Sequence, residues 1–281
     1  MHTKSELLEL LRGSRIRLSK RLGQHYLIDP RLTARLLDAC RLTARDTVVE
    51  IGAGLGALTD GLAARAGQVT AVEVDRAVAA LLARRMAASP NVRVVCQDIR
   101  AFAWERYPDS VVVGAIPYSL TSPILAMLSE RRLRLRAAWL GVQKEIAARL
   151  TAKPGTKAYG RLTVLVQYRF AVARVMAMPR QAFFPAPAVD SVWLGLTPKA
   201  PQAFAVRDER LFFEVVRAAF SQRRKTLLNC LKQLTTARLS RLEAQELIRA
   251  LGLPEDVRGE TLSIPQFAAL ANTLAQRRGV N

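Results

Sequence analysis

The chain has 281 residues, half of them hydrophobic, and a formal net charge of +20 with a sequence pI near 11.1. This length accommodates one large domain or a large and a small one, and the apolar content excludes global disorder. The charge predicts a polyanionic partner, nucleic acid before an anionic membrane, since no separate amphipathic or lipidation segment is present.

The three cysteines, Cys40, Cys96 and Cys230, are far apart, and with His2 and His25 they make no zinc spacing. No metal is expected, and a reducing, cytoplasmic location is. The N-terminus lacks an apolar signal region and no run approaches a membrane span, so no membrane association is expected either.

Residues 1–21 place Lys4, Arg12, Arg15, Arg17, Lys20 and Arg21 around a short leucine-rich helical pattern. They read as a solvated basic arm, or more sharply as an RNA-contacting one. Asp29 can cap a helix that begins at Pro30 and carries an apolar face of Leu32, Leu36 and Leu37. The segment before it, Gly23-Gln24-His25-Tyr26-Leu27, fits neither strand nor helix and is expected to be a loop lying against something.

From Thr47 strand and helix patterns alternate. Strands are predicted at 47–51, 68–74, 92–96 and 111–114, with helices at 55–66, 77–88 and 123–130. Segments 137–143 and 162–169 suit either type, and 192–196 suits a strand. Alanine-rich helices between valine-rich strands predict an α/β fold, a mostly parallel Rossmann-like sheet with helices on both faces. The composition shifts at Thr197-Pro198-Lys199-Ala200-Pro201. Residues 1–198 are therefore read as the α/β domain, and 199–281 as a small arginine-bearing helical domain with helices at 211–220, 226–234, 240–251 and 264–276.

The turn Gly52-Ala53-Gly54-Leu55-Gly56-Ala57 fits both dinucleotide-binding and nucleoside-methyltransferase patterns. Its glycines permit close approach of a ligand, and a helix starting there would offer free N–H groups. Ligands of such sheets bind beyond the carboxyl ends of the strands. Glu73 falls near the end of the second strand, where it can accept both ribose hydroxyl protons of a nucleoside cofactor. Asp98 ends the third, placed to accept from an adenine amine, although a lone acid there is more often a helix cap.

The fourth strand ends in Ala115-Ile116-Pro117-Tyr118. A nicotinamide oxidoreductase has no need of that turn. A methyltransferase acting on an exocyclic amine does, because carbonyls can accept the amine's hydrogens while the aromatic face stacks on the base. Proline fixes φ and frees its carbonyl from a ladder partner.

Taken with Gln143-Lys144-Glu145, residues 153–160, Phe183-Phe184-Pro185-Ala186-Pro187-Ala188-Val189-Asp190-Ser191 and residues 220–226, these motifs resemble the KsgA family of small-subunit ribosomal RNA adenine dimethyltransferases. That family is related to the Erm resistance methyltransferases. The resemblance covers nearly the whole chain, and the tail is similar to bacterial members rather than to Erm. It implies a class I methyltransferase domain using S-adenosylmethionine, with small-subunit ribosomal RNA in a pre-30S particle as partner and a monomeric state. His25 and Leu27 would line the cofactor pocket, Gly52 and Gly54 would pack against the cofactor, Glu73 would hold its ribose and Asp98 its adenine. Tyr118 would stack on a flipped target adenine, with Phe183 on the other face. The basic arm, the 220s segment and the helical tail would grip RNA phosphates.

One position departs from the family. The family motif reads Asn, an aliphatic residue, Pro and Tyr, whereas this chain has Ala115 where the asparagine belongs, beside both cofactor and target amine. Alanine keeps the backbone and loses an acceptor. Three alternatives therefore stand beside dimethylation of small-subunit RNA: a ribosome-assembly factor that transfers methyl groups feebly, an Erm-like enzyme of large-subunit RNA and, more distantly, a nicotinamide oxidoreductase.

Overall fold

A computed structural model describes residues 3–14, 16, 23–131, 133–200, 204–222, 224–234 and 239–278. Arg15, Arg17, Lys20 and Arg21 of the basic arm, and Arg223 of the 220s segment, lie outside the described residues. The chain folds into two compact units, residues 1–147 with 171–198, and residues 148–170 with 199–281.

The first unit begins with α1 (Lys4–Ser14), whose Leu7 and Leu11 pack with Tyr26, Leu55 and Val78. The two-residue β1 (Tyr26–Leu27) precedes α2 (Pro30–Ala39). As expected, Asp29 caps α2, its Oδ1 accepting from Leu32 N–H at 2.9 Å, and Leu32, Leu36 and Leu37 are buried.

Strand and helix then alternate through β2 (Thr47–Ile51), α3 (Thr59–Ala63), β3 (Gln68–Glu73), α4 (Arg76–Arg85), β4 (Val92–Cys96), β5 (Ser110–Ala115), α5 (Thr121–Glu130) and β6 (Leu135–Gln143). The chain returns as β7 (Phe170–Met178), the short β8 (Phe183–Phe184) and β9 (Ser191–Pro198). Seven strands form one sheet in the order β4-β3-β2-β5-β6-β9-β7, and β1 pairs with β8 separately. β4, β3, β2, β5 and β6 run parallel, and β9 is antiparallel to β6. Successive strands run outward from β2 to β4, and the chain then crosses back to lay β5 on the other side of β2. The crevice at the ends of β2 and β5 is thus a topological switch point, the place where open α/β sheets bind ligands.

The side-chain alternation of the strands feeds two cores. Val48, Val69, Val111 and Val113 pack with Leu36, Leu37 and Leu62 of α2 and α3. Ala71, two residues on from Val69 and on the same face, packs with Leu82 and Met86 at the C-terminal end of α4. On the other face Val49, Ile51, Val72 and Val112 are buried as well, so both faces are covered, as a parallel sheet requires.

Three local readings change. The helix expected over 55–66 is confined to 59–63, because Gly54 and Gly56 hold φ of +55° and +89°, outside helical space. Of the two ambiguous segments, 137–143 lies within β6 and 162–169 within a helix. The edge strand β7 was not foreseen, since its run Phe170-Ala171-Val172-Ala173 continues the apolar pattern of that helix without a turn signal.

The second unit contains the last three residues of α6 (Lys144–Leu150), with α7 (Arg161–Arg169), α8 (Glu209–Ala219), α9 (Leu227–Leu231), α10 (Arg241–Ala250) and α11 (Ile264–Arg278). The composition shift near residue 198 placed 148–170 in the first domain; the structure groups it with the second. The cause is a set of buried interactions: Tyr159 donates its hydroxyl to the Leu262 carbonyl at 2.9 Å. Arg169 pairs with Glu209 at 2.7 Å where both side chains are largely buried, and Tyr168 donates to the same carboxylate. Tyr168 also packs on Phe212 and Phe213. Ser240 and Glu243 form a reciprocal capping box at the start of α10. Arg210, Arg217, Arg224, Lys225, Lys232 and Arg258 are exposed. No described helix is long and apolar enough to cross a membrane.

Candidate active site

All of the residues singled out from the sequence (His25, Leu27, Gly52, Gly54, Glu73, Asp98, Ala115, Ile116, Pro117, Tyr118 and Phe183) line one cavity of the first unit, at the switch point. Its floor is the glycine turn after β2. Gly52 and Gly54 hold φ of +69° and +55°, and a Cβ on Gly54 would stand 3.1 Å from the Tyr26 ring, so the turn depends on glycine here.

The amides of this turn are not free, contrary to expectation. Gly52 N–H and Ala53 N–H donate to the Val72 carbonyl, and Gly56 N–H donates to the Ala53 carbonyl. Gly54 N–H donates to Glu73 Oε2 at 2.9 Å. The turn therefore offers closeness of approach rather than a row of donors.

Glu73 ends β3 and is 7 % exposed. Its other oxygen accepts from Asp75 N–H at 2.9 Å. Burial raises its carboxyl above the usual range, while these N–H bonds work in the opposite direction. Each carboxylate oxygen retains acceptor capacity for a ligand. Val74 beside it is an exposed apolar residue on the same wall.

Asp98 is less free than the sequence suggested. Its Oδ1 accepts from Arg100 N–H at 2.8 Å as the cap of a 3₁₀ turn, and the Arg100 guanidinium donates to both oxygens. Those bonds hold its carboxyl below the usual value. Asp98 is thus a cap and an ion-pair member that also borders the cavity.

The turn after β5 forms the opposite wall. Ala115 ends the strand in register with Gly141 of β6, and Ile116 N–H donates to the Gly141 carbonyl at 3.2 Å. The Pro117 carbonyl, expected to stand free, accepts from Leu120 N–H at 2.9 Å and from the Thr121 hydroxyl at 3.3 Å. The 3₁₀ turn Tyr118–Leu120 folds back on it. The Ile116 carbonyl has no hydrogen-bond partner among the described residues.

Tyr118 is half-buried, and its hydroxyl lies 2.9 Å from Ser191 Oγ and 3.3 Å from the Val189 carbonyl. The His25 ring lies 5.6 Å from the Tyr118 ring, tilted by 32°. His25 Nδ1–H donates to the Pro185 carbonyl at 2.6 Å. The loop before α2, unassigned by pattern, therefore lies across the site, zipped to it by β1 pairing with β8.

Leu27 and Phe183 face each other in that pairing and sit in the same core cluster as Trp193. Phe183 is only 6 % exposed, so its ring forms a wall and not the open second stacking face expected of it.

Two further lining residues received no role from the sequence. Glu50, in β2, is 1 % exposed, and its Oε2 accepts from the Thr59 hydroxyl at 2.6 Å. Burial pushes its carboxyl up to about 8. An acid inside an otherwise apolar strand is the signal that marks it. Ser191 stands at the end of the motif beginning at Phe183, and only the fold brings it to Tyr118. Among the described residues no group of histidine, cysteine, aspartate and glutamate could hold a metal.

The sheet order, the glycine turn, the acid that ends β3 and the Pro-Tyr turn after β5 define the class I methyltransferase fold, a class that uses S-adenosylmethionine as methyl donor. Residues 15–276 match the family described as Ribosomal RNA adenine dimethylase, and the chain belongs to that family. It is 41% identical over 275 residues to a Ribosomal RNA small subunit methyltransferase A of Geobacillus thermodenitrificans, covering 95% of this chain and 94% of that protein. A protein of the same name from Moorella thermoacetica is 41% identical over 284 residues, covering 97% and 98%. Among solved structures, a dimethyladenosine transferase from Plasmodium falciparum superposes with a TM-score of 0.77 at 26% identity, over 90% of this chain and 98% of that one. The 23S rRNA methyltransferase ErmE gives 0.66 at 27%, over 89% and 100%.

Proposed function

We propose that this chain uses S-adenosylmethionine to dimethylate the N6 amines of two adjacent adenosines near the 3′ end of small-subunit ribosomal RNA, as a cytoplasmic monomer acting on a pre-30S particle. The carrying observation is the convergence, in one switch-point cavity, of Glu73 with the Ile116-Pro117-Tyr118 turn. The residues fit the donor: a buried carboxylate for ribose hydroxyls, the exposed side chain of Val74 for the face of an adenine, and a glycine turn without Cβ atoms. When bound, S-adenosylmethionine supplies an electrophilic methyl group.

The chain's own residues would prepare the acceptor. Flipping an adenosine out of its stack costs a few kcal/mol, which stacking on Tyr118 of roughly 1–3 kcal/mol per base helps to offset. The Ile116 carbonyl would accept a hydrogen of the target amine and turn its lone pair out of conjugation toward the methyl group. The exposed arginines and lysines of the second unit would hold RNA phosphates, the interaction that dominates such affinities.

Ala115 favours a second reading, a ribosome-assembly factor that binds cofactor and particle but transfers slowly. Mass spectrometry of ribosomal RNA after incubation with small subunits and labelled cofactor decides between them. Two methyl groups on each of two adjacent adenosines are expected. Tight binding without transfer would establish the assembly factor, and label in large-subunit RNA would establish the Erm-like activity.

Calorimetry tests the cofactor directly. S-adenosylmethionine should bind and nicotinamide dinucleotides should not. Glu73→Ala should weaken S-adenosylmethionine by about 1.5–3 kcal/mol, the range for hydrogen bonds to a charged group. Unchanged affinity in that variant would remove Glu73 from the ribose site.

A further inference from the structure

Tyr118 sits in a single 3₁₀ turn directly after β5. A tyrosine on so short a turn has two side-chain torsions to fix before its ring can serve as a stacking platform. In this site the fixing is done at the far end of the ring. Its hydroxyl lies 2.9 Å from Ser191 Oγ and 3.3 Å from the Val189 carbonyl.

Ser191 is itself immobilised. It is the first residue of β9, in register with Gln143 of β6, and it is 1 % exposed. The segment leading to it is tied at Asp190, whose carbonyl accepts from Lys144 N–H at 3.0 Å and whose carboxylate accepts from Arg180 N–H at 3.0 Å. The Val189 carbonyl can only accept. One arrangement satisfies all three groups: Tyr118 donates to Val189, and Ser191 donates to the Tyr118 oxygen.

We propose that Ser191 is a positioning residue for methyl transfer, acting through the Tyr118 hydroxyl to hold the ring where the flipped adenine stacks. The proposal rests on the methyltransferase reading above. Ser191 need not touch the base or the cofactor; its effect passes through the ring. Misplacement of a reacting group by about 1 Å can cost on the order of 100-fold in rate, so a hydroxyl that fixes a stacking ring is felt in turnover rather than in cofactor binding.

The test is a double-mutant cycle on the full-length protein, read as single-turnover methyl transfer to small ribosomal subunits. Ser191→Ala should slow transfer about tenfold, with the calorimetric affinity for S-adenosylmethionine within about twofold of the parent. Tyr118→Phe keeps the ring and removes only the oxygen, so it should cause a similar loss without threatening the fold. The double variant should be no slower than Tyr118→Phe alone, because that change already removes the bond that Ser191→Ala removes. Additive losses, a parental rate in either single variant, or a loss that appears in cofactor affinity would overturn the role of Ser191. Absence of transfer from the unaltered protein would instead overturn the functional reading, and the proposal with it.

Discussion

Ala115→Asn should raise the rate of methyl transfer to small subunits by on the order of 100-fold to 1,000-fold, with little change in the affinity for cofactor or RNA. The magnitude follows from about 2.7–4 kcal/mol for one preorganised hydrogen-bonding group at a site of developing charge. Ala115 ends β5 on the cavity wall, so an asparagine side chain there would project from a fixed strand end. The turn has little to put in its place. The Pro117 carbonyl is engaged by Leu120 and Thr121, which leaves the Ile116 carbonyl as the one acceptor of the pair without a described partner. The nearby Ser119 does not line the cavity; its hydroxyl lies near Gly23. Single-turnover kinetics on both proteins, with dissociation constants measured alongside, provide the check. Equal rates would mean that another group supplies the acceptor.

Glu50→Gln should flatten the dependence of stability on pH. Burial of Glu50 raises its carboxyl from 4.5 to about 8. Between those values the folded protein holds a proton that the unfolded chain releases. Stability should therefore be greatest below about 4.5 as far as this group is concerned, fall as pH rises through the window, and level off above about 8. The slope is on the order of 1 kcal/mol per pH unit. Glutamine keeps an acceptor for the Thr59 hydroxyl and cannot ionise. The drop in melting temperature between pH 5.5 and pH 8.5 should then shrink by roughly 5–10 °C in the variant. Parallel melting curves for the two proteins across that range would contradict a neutral Glu50.

The two predictions draw on the sequence to different degrees. The strands around the glycine turn were legible because a parallel sheet covered on both faces writes itself as short valine runs separated by alanine-rich helices. The cavity was legible because its lining residues cluster at successive strand ends, and chain order maps onto position in such a sheet. What could not be read was hydrogen-bond competition. Nothing in the order of residues says that Arg100 satisfies Asp98, that the turn of residues 118–120 takes the Pro117 carbonyl, or that Val72 takes the amides of Gly52 and Ala53. Each partner is supplied by local backbone geometry or by a neighbouring strand. Glu50 and Ser191 escaped for a related reason: their significance depends on burial and on groups from other elements, Thr59 and Tyr118.

The path of the chain between its two units bears on how the protein comes apart. It passes between them three times, after residues 147, 170 and 198, so the second unit is not a tail hung from a single linker. Residues 148–170 supply the Tyr159 hydroxyl to Leu262 and Arg169 to Glu209, yet both their ends continue into the first unit. A protease that cuts near residue 200 would therefore nick the molecule without releasing a self-sufficient C-terminal piece. Each fragment would carry part of the second unit's core, and the cut protein should migrate as one species until it is denatured.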